Sequence, residues 1–181
     1  GAFLITAPTI ILTSTSGSIG DNTNRVQINA TNLTVNANAT NQDAFIQEAD
    51  SVEILGSQNV NRTFNLIAGT NITNNTTAAD RINATNVVLT ATTGSIGIGT
   101  ATRVQINASN LTANAGQNVF LQEANTVEIA AASGSSNIFN LATTNGSITN
   151  LSASVITAPT VSLTAVGGSV GSITNRVLTN A

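Results

Sequence analysis

Three phrases recur in the same order along this chain, and that repetition constrains its fold more than any other feature. Leu12–Gly20 reads LTSTSGSIG, Leu89–Gly97 reads LTATTGSIG and Leu163–Gly171 reads LTAVGGSVG. Shortly after each come NRVQINA (Asn24–Ala30), TRVQINA (Thr102–Ala108) and NRVLTNA (Asn175–Ala181). FIQEADSVEI (Phe45–Ile54) is answered by FLQEANTVEI (Phe120–Ile129). The long period is about 75 residues. Self-similarity on this scale marks an array in which no unit buries its own apolar face and each neighbour completes the core of the last.

A shorter period lies inside the long one. An alanine that closes a strand-like phrase recurs at Ala7, Ala30, Ala49, Ala68, Ala84, Ala108, Ala124, Ala142, Ala158 and Ala181, a mean spacing of about 19 residues. The longest steps carry the Gly-Ser-Ile/Val-Gly insertion and fall at every fourth position, so each long repeat reads as four rungs. The repeats then run over approximately 6–82, 83–156 and, in part, 157–181, with the whole of 1–181 forming one segment of a longer array. Two places after these alanines stand Thr9, Asn32, Ser51, Thr70, Asn86, Asn110, Thr126, Thr144 and Thr160, all polar. Three places after them stand mostly Ile, Leu and Val, as in Ile10, Leu33, Val52, Val87, Leu111, Val127 and Val161. Alternation with period two is the mark of half-buried strands. The expected fold is all-β: a right-handed single-stranded parallel β-helix of about 19 residues per rung and about ten rungs, since parallel crossovers are overwhelmingly right-handed. The first nine alanines would sit at tight turns, and the polar row would stack as one hydrogen-bonded ladder. A β-sandwich is the alternative, but it leaves insertions at every fourth turn unexplained.

Composition agrees with this reading and removes several functions. Only 7% of the 181 residues are charged while 41% are hydrophobic, so the chain lacks the polarity of a disordered segment. There is no Trp, Tyr, Met, Cys or His, which leaves aliphatic side chains to fill the core and excludes disulfides and thiolate metal sites. The net charge is −3, without the basic stripe that a nucleic-acid binder needs. No apolar run approaches a membrane span, so no membrane insertion is expected.

The phrases I-x-A-x-x-V-x-L (Ile156–Leu163), GSIG, RVQINA-x-NLT (Arg25–Thr34, Arg103–Thr112) and QEA-x-x-VEI (Gln47–Ile54, Gln122–Ile129) resemble the repeats of filamentous-haemagglutinin-like exoproteins. These are very large bacterial surface or secreted β-helical proteins, usually exported by two-partner secretion. The resemblance covers essentially the whole chain. It implies a secreted or cell-surface location and a structural part in an extracellular filament or giant adhesin, with copies of the chain itself as partners and surface glycans as a second class. The chain opens directly into strand pattern at Gly1-Ala2-Phe3 and stops in mid-rung at Asn180-Ala181, which suits an excised segment or abutting copies. No secretion module or binding domain accompanies the motifs, so no adhesive residue is transferred.

Glu48 with Glu53 and Glu128 with Glu123 are paired carboxylates of the kind glycosidases use. Without a Lys, His or Tyr partner they read as solvated surface groups, and calcium would want more oxygen ligands. No catalytic, cofactor or metal site is therefore expected, and the chain is read as not an enzyme. Arg25, Arg103 and Arg176 hold equivalent places; they suit anionic glycans, snorkelling over apolar surface, or an Arg–Asp–Arg column with Asp43 and Arg62. The Gly-Ser-Ile-Gly phrase lacks the Lys and helix of a phosphate-binding loop and reads as a turn. Sequons at Asn29, Asn32, Asn71 and Asn110 follow from Asn/Thr-rich composition. A glycan-binding β-helix is the runner-up function, ahead of a degenerate polysaccharide lyase or hydrolase. An ice-binding solenoid needs threonine at fixed places in each rung, and Thr13/Thr15 give way to Asn36/Asn38 and Ala130/Ala132.

Overall fold

The computed structural model describes residues 4–74, 79–151 and 153–181; Gly1-Ala2-Phe3, with which the strand pattern opens, lies outside them. Among the described residues there is no helix, and nineteen short strands join in one sheet whose strand pairings are all parallel. The coil is easiest to follow from Asp43–Glu48. The chain turns into Val52–Ile54, turns again into Gln58–Val60, and returns as Thr63–Ala68, which lies directly against Asp43–Glu48 with Asp43 opposite Thr63 and Glu48 opposite Ala68. The next circuit passes through Ile72–Asn74 and closes with the long strand Arg81–Ala91, which bends at exposed Thr85 and serves two sides of the coil.

Strand alternation builds the core as columns. Ala44, Phe64, Val87, Leu111 and Ile129 succeed one another through paired registers, and beside them run Ile46, Leu66, Leu89 and Ala113. All of these are buried, most of them completely. Phe64 sits between Ala44 and Val87, and Phe139 between Val119 and Val161, so each ring meets smaller side chains above and below. Close packing of large against small is what lets an aliphatic interior reach native density.

The parallel β-solenoid is as the alternation predicts, but its pitch is not. There are about 8 turns of roughly 22 residues, not ten of about 19. The marker alanines do not form one column. Ala84 lies opposite Ala108, whereas Ala68 lies between Glu48 and Ala91, and Ala142 between Gln122 and Thr164. Several sides of the coil need a small inward residue, and counting them as one row shortens the apparent turn. At about 4.8 Å per turn the coil is about 35–40 Å long, not 45–50 Å.

The long repeat is therefore not four turns, and it does not stack on itself. Glu48 lies in the column of Ile28 and Ala68, yet its counterpart Glu123 lies in the column of Ile106 and Thr143. About 75 residues carry the chain between three and four times around, so each copy of the phrase begins on a different side. The same inward residues must pack beside different neighbours in each copy.

Candidate functional site

The two QEA phrases hold the most unusual side chains in the molecule. Glu48 and Glu123 are both fully buried. The reason is a change in corner length. Ile28 lies opposite Glu48 while Asn32 lies opposite Glu53, so the later turn carries one more residue through that corner. Parallel pairing cannot be kept up there, and the Glu48 carboxylate fills the gap: the Ala30 N–H donates to Oε2 at 3.0 Å and the Asp50 N–H to Oε1 at 3.2 Å. The second copy repeats this on another side. Ile106 lies opposite Glu123 and Asn110 opposite Glu128; the Ala108 N–H donates to Glu123 Oε2 at 2.9 Å and the Asn125 N–H to Oε1 at 3.0 Å.

The neighbouring corners, where a later turn gains two residues, use the same device with neutral groups. The Val35 N–H donates to Gln58 Oε1 at 2.6 Å, and the Ala113 N–H donates to Ser133 Oγ at 3.1 Å. Buried backbone donors left unpaired are costly, and each of these inward polar side chains removes one.

The surface reading of these glutamates is thus corrected for Glu48 and Glu123, while Glu53 and Glu128 point outward and are half-buried. The carboxylates of each pair stand on opposite faces of the coil wall and do not converge. Burial raises the Glu48 carboxyl above its ordinary value and pushes Glu123 up to about 7, against the opposing pull of the backbone donors. In the slot where an alanine was expected stands the glutamate itself, so Ala49 is exposed and Ala124 only half-buried. Ala30, Ala68, Ala84, Ala108, Ala142 and Ala158 are buried and Ala7 is partly so, but Ala68, Ala84, Ala108 and Ala142 lie within strands and not at the tight turns expected of them.

Arg25, Arg62 and Arg103 are engaged by groups of the wall. Arg62 and Asp43 form an ion pair with Arg62 Nε donating to Asp43 Oδ1 at 2.8 Å, and the guanidinium holds the carboxyl below the usual carboxylate range. Arg25 is not part of this column. It stacks over the Phe45 ring at 5.6 Å and donates to Asn65 Oδ1 at 3.0 Å. Arg103 donates to the carbonyls of Thr100 and Leu121. Arg176 is exposed. Among the described residues no three His, Cys, Asp or Glu side chains cluster as metal ligands would.

The expected polar row breaks into short pieces. Asn32 donates to Thr9 at 3.4 Å but next meets Glu53, and Ser51 and Thr70 share a 2.5 Å hydroxyl contact. Asn86 and Asn110 are bonded at 2.9 Å, but Asn110 is followed by Glu128 instead of Thr126. Thr126 accepts the Ser147 N–H, Thr144 accepts from Gln122, and Thr160 lies opposite Ile138.

A longer ladder exists elsewhere and escaped the sequence reading. Asn36, Asn59, Asn83 and Asn107 lie on successive turns in paired register, with Asn125 continuing the row. Nδ2 of Asn59 donates to Asn36 Oδ1 at 3.3 Å, that of Asn83 to Asn59 at 3.2 Å, and that of Asn125 to Asn107 at 3.1 Å. The signal was present in the phrases Asn59-Val60-Asn61, Asn83-Ala84-Thr85-Asn86 and Asn107-Ala108-Ser109-Asn110, each an asparagine flanking a small inward residue.

The Gly-Ser-Ile/Val-Gly insertion is a corner, as its lack of phosphate-binding partners suggests. Its Ile enters the wall through single bridges, Ile19 to Ala44 and Ile96 to Val119. Its last glycine takes φ +65° at Gly20 and +71° at Gly97, and a Cβ at either would stand 2.8 Å or 2.5 Å from the Phe45 or Phe120 carbonyl oxygen. Only glycine combines that left-handed turn with so close an approach. Comparison with protein-family models, with curated protein sequences and with solved structures gives no match.

Proposed function

We propose that this chain is a structural segment of an extracellular bacterial filament or giant adhesin of the filamentous-haemagglutinin type, working as a stiff spacer. The observation that carries the reading is the single sheet of nineteen parallel strands wrapped around aliphatic columns. Each turn is hydrogen-bonded to its neighbours, so bending or pulling the rod loads many backbone bonds together. Buried polar caps at the irregular corners pair the backbone N–H groups of Ala30, Val35, Ala108 and Ala113, which the strand register leaves over. With so little charge on the surface, lateral contacts between copies would rest on amide and hydroxyl groups instead of ion pairs.

The recurring RVQINA and QEA-x-x-VEI phrases support the family assignment, and the secreted or cell-surface location follows from it. Electron microscopy with diffraction from the native material tests the proposal. Rods with a repeat near 4.8 Å along their axis are expected. Isolated short globules without that repeat would overturn it.

A further inference from the structure

Beside the asparagine ladder lies a cleft of about 390 Å³ that runs along the coil axis. Its floor is the column Val60, Ala84 and Ala108, buried residues too small to fill the wall to its outer surface. One side is the ladder from Asn59 to Asn125, and the other includes Thr85 and Ser109, both exposed. We propose that this cleft binds an uncharged polyhydroxylated chain, a neutral glycan, lying parallel to the coil axis.

The hydrogen-bond inventory of the walls selects that chemistry. Asn59 spends its amide donors on Asn36 Oδ1 and the Ser57 carbonyl, and Asn83 spends its own on Asn59 Oδ1 and the Gln58 carbonyl. The amide oxygens of Asn59 and Asn107 each accept one bond from the next turn and keep a second lone pair, and that of Asn83 accepts none among the described residues. The hydroxyl of Thr85 is committed to the Asn61 carbonyl at 3.0 Å. The cleft therefore offers a column of acceptors, one per turn, with the Asn107 amide group as a donor at one end and the Ser109 hydroxyl as an adaptable group facing them.

An anionic chain would meet these oxygens with no cation among the lining residues. A peptide strand needs donors as well as acceptors along its edge. Calcium would want carboxylates, and none lines the cleft. Sugar hydroxyls donate to the amide oxygens and accept from serine, and they recur along a glycan as the acceptors recur along the coil. No aromatic ring is present for stacking, so affinity per site is low and accumulates along a long rod.

The test is an NMR titration of the full chain with cellohexaose, with chitohexaose and with a heparin hexasaccharide. The expected result is that a neutral hexasaccharide shifts the side-chain amide signals of Asn59, Asn83 and Asn107, and that the polyanion does not. Ser109→Phe, which fills the cleft from an exposed position, should abolish the shift. Ser109→Ala, which keeps the shape and the ladder, should weaken binding roughly tenfold. The proposal is overturned if neither neutral sugar moves those signals at millimolar concentration, if the filled cleft still binds, or if the polyanion takes the site. Any of these outcomes leaves the structural-rod reading untouched.

Discussion

Truncating Glu123 to alanine separates a buried capping role from a surface one. In the folded chain both carboxylate oxygens accept backbone donors, from Ala108 and Asn125, and Glu123→Ala leaves the Ala108 donor buried without a partner, while exposed Asn125 can turn to water. The orphaned buried donor sets the loss at about 1–3 kcal/mol where the carboxyl is neutral. Ionisation changes that figure in a defined direction. Burial pushes the folded carboxyl up to about 7 from an ordinary 4.5, so the folded state holds its proton more tightly than the unfolded state. Stability from this group is complete below the unfolded value and is lost as pH rises through about 7. At one pKa unit per 1.36 kcal/mol the wild type gives up on the order of 3 kcal/mol across that window.

Glu123→Ala should therefore cost most at pH 5 and distinctly less at pH 8. Denaturant unfolding at the two pH values reads the difference. Amide exchange reads the location, with faster exchange at Ala108 and Asn125 in the variant. An equal cost at both pH values, or unchanged exchange at those two amides, would refute the reasoning.

Three further outcomes follow from the same structure. Glu48→Ala should speed amide exchange at Ala30 and Asp50, and leave Ala108 and Asn125 as they are, because the two glutamates cap different corners. Gly97→Ala combines a left-handed backbone with a 2.5 Å clash, so its melting temperature should fall well below that of Gly56→Ala, whose φ of +69° is similar but whose Cβ would meet nothing within 4 Å. For Gly56 the expected cost is about 1–2 kcal/mol. Phe64→Ala removes a completely buried ring from between Ala44 and Val87 and should cost about 3–5 kcal/mol in urea unfolding.

The parallel solenoid was legible in the sequence because period-two alternation and repetition are local facts. Ile10, Leu33, Val52, Val87 and Leu111 are inward where the pattern puts them, although Ile10 keeps a little exposure. The pitch was not legible, because register depends on corner lengths that the strands do not encode. Ala68 and Ala84 look equivalent in sequence, yet Ala68 stacks under Ala91 and Ala84 under Ala108. The QEA phrase misleads by one residue for a physical reason: charge points to an outward glutamate and small size to an inward alanine, whereas an added residue in the corner turns the carboxylate in to meet the stranded N–H. The asparagine ladder was hidden by the same irregularity, since its members stand 23 or 24 residues apart until the shorter step to Asn125.

Cysteine cross-linking tests the stacking register most directly, because the chain has no native cysteine to interfere. Asn86 and Asn110 lie opposite one another on adjacent turns, with their side chains bonded at 2.9 Å. Asn86→Cys with Asn110→Cys should oxidise readily to a disulfide, since neighbouring strands set the Cα atoms about 4.8 Å apart. Asn86→Cys with Gln105→Cys, which a uniform 19-residue turn would bring together, should stay reduced, because Gln105 lies opposite Arg81. Efficient bridging of the second pair in place of the first would contradict the register on which this account is built.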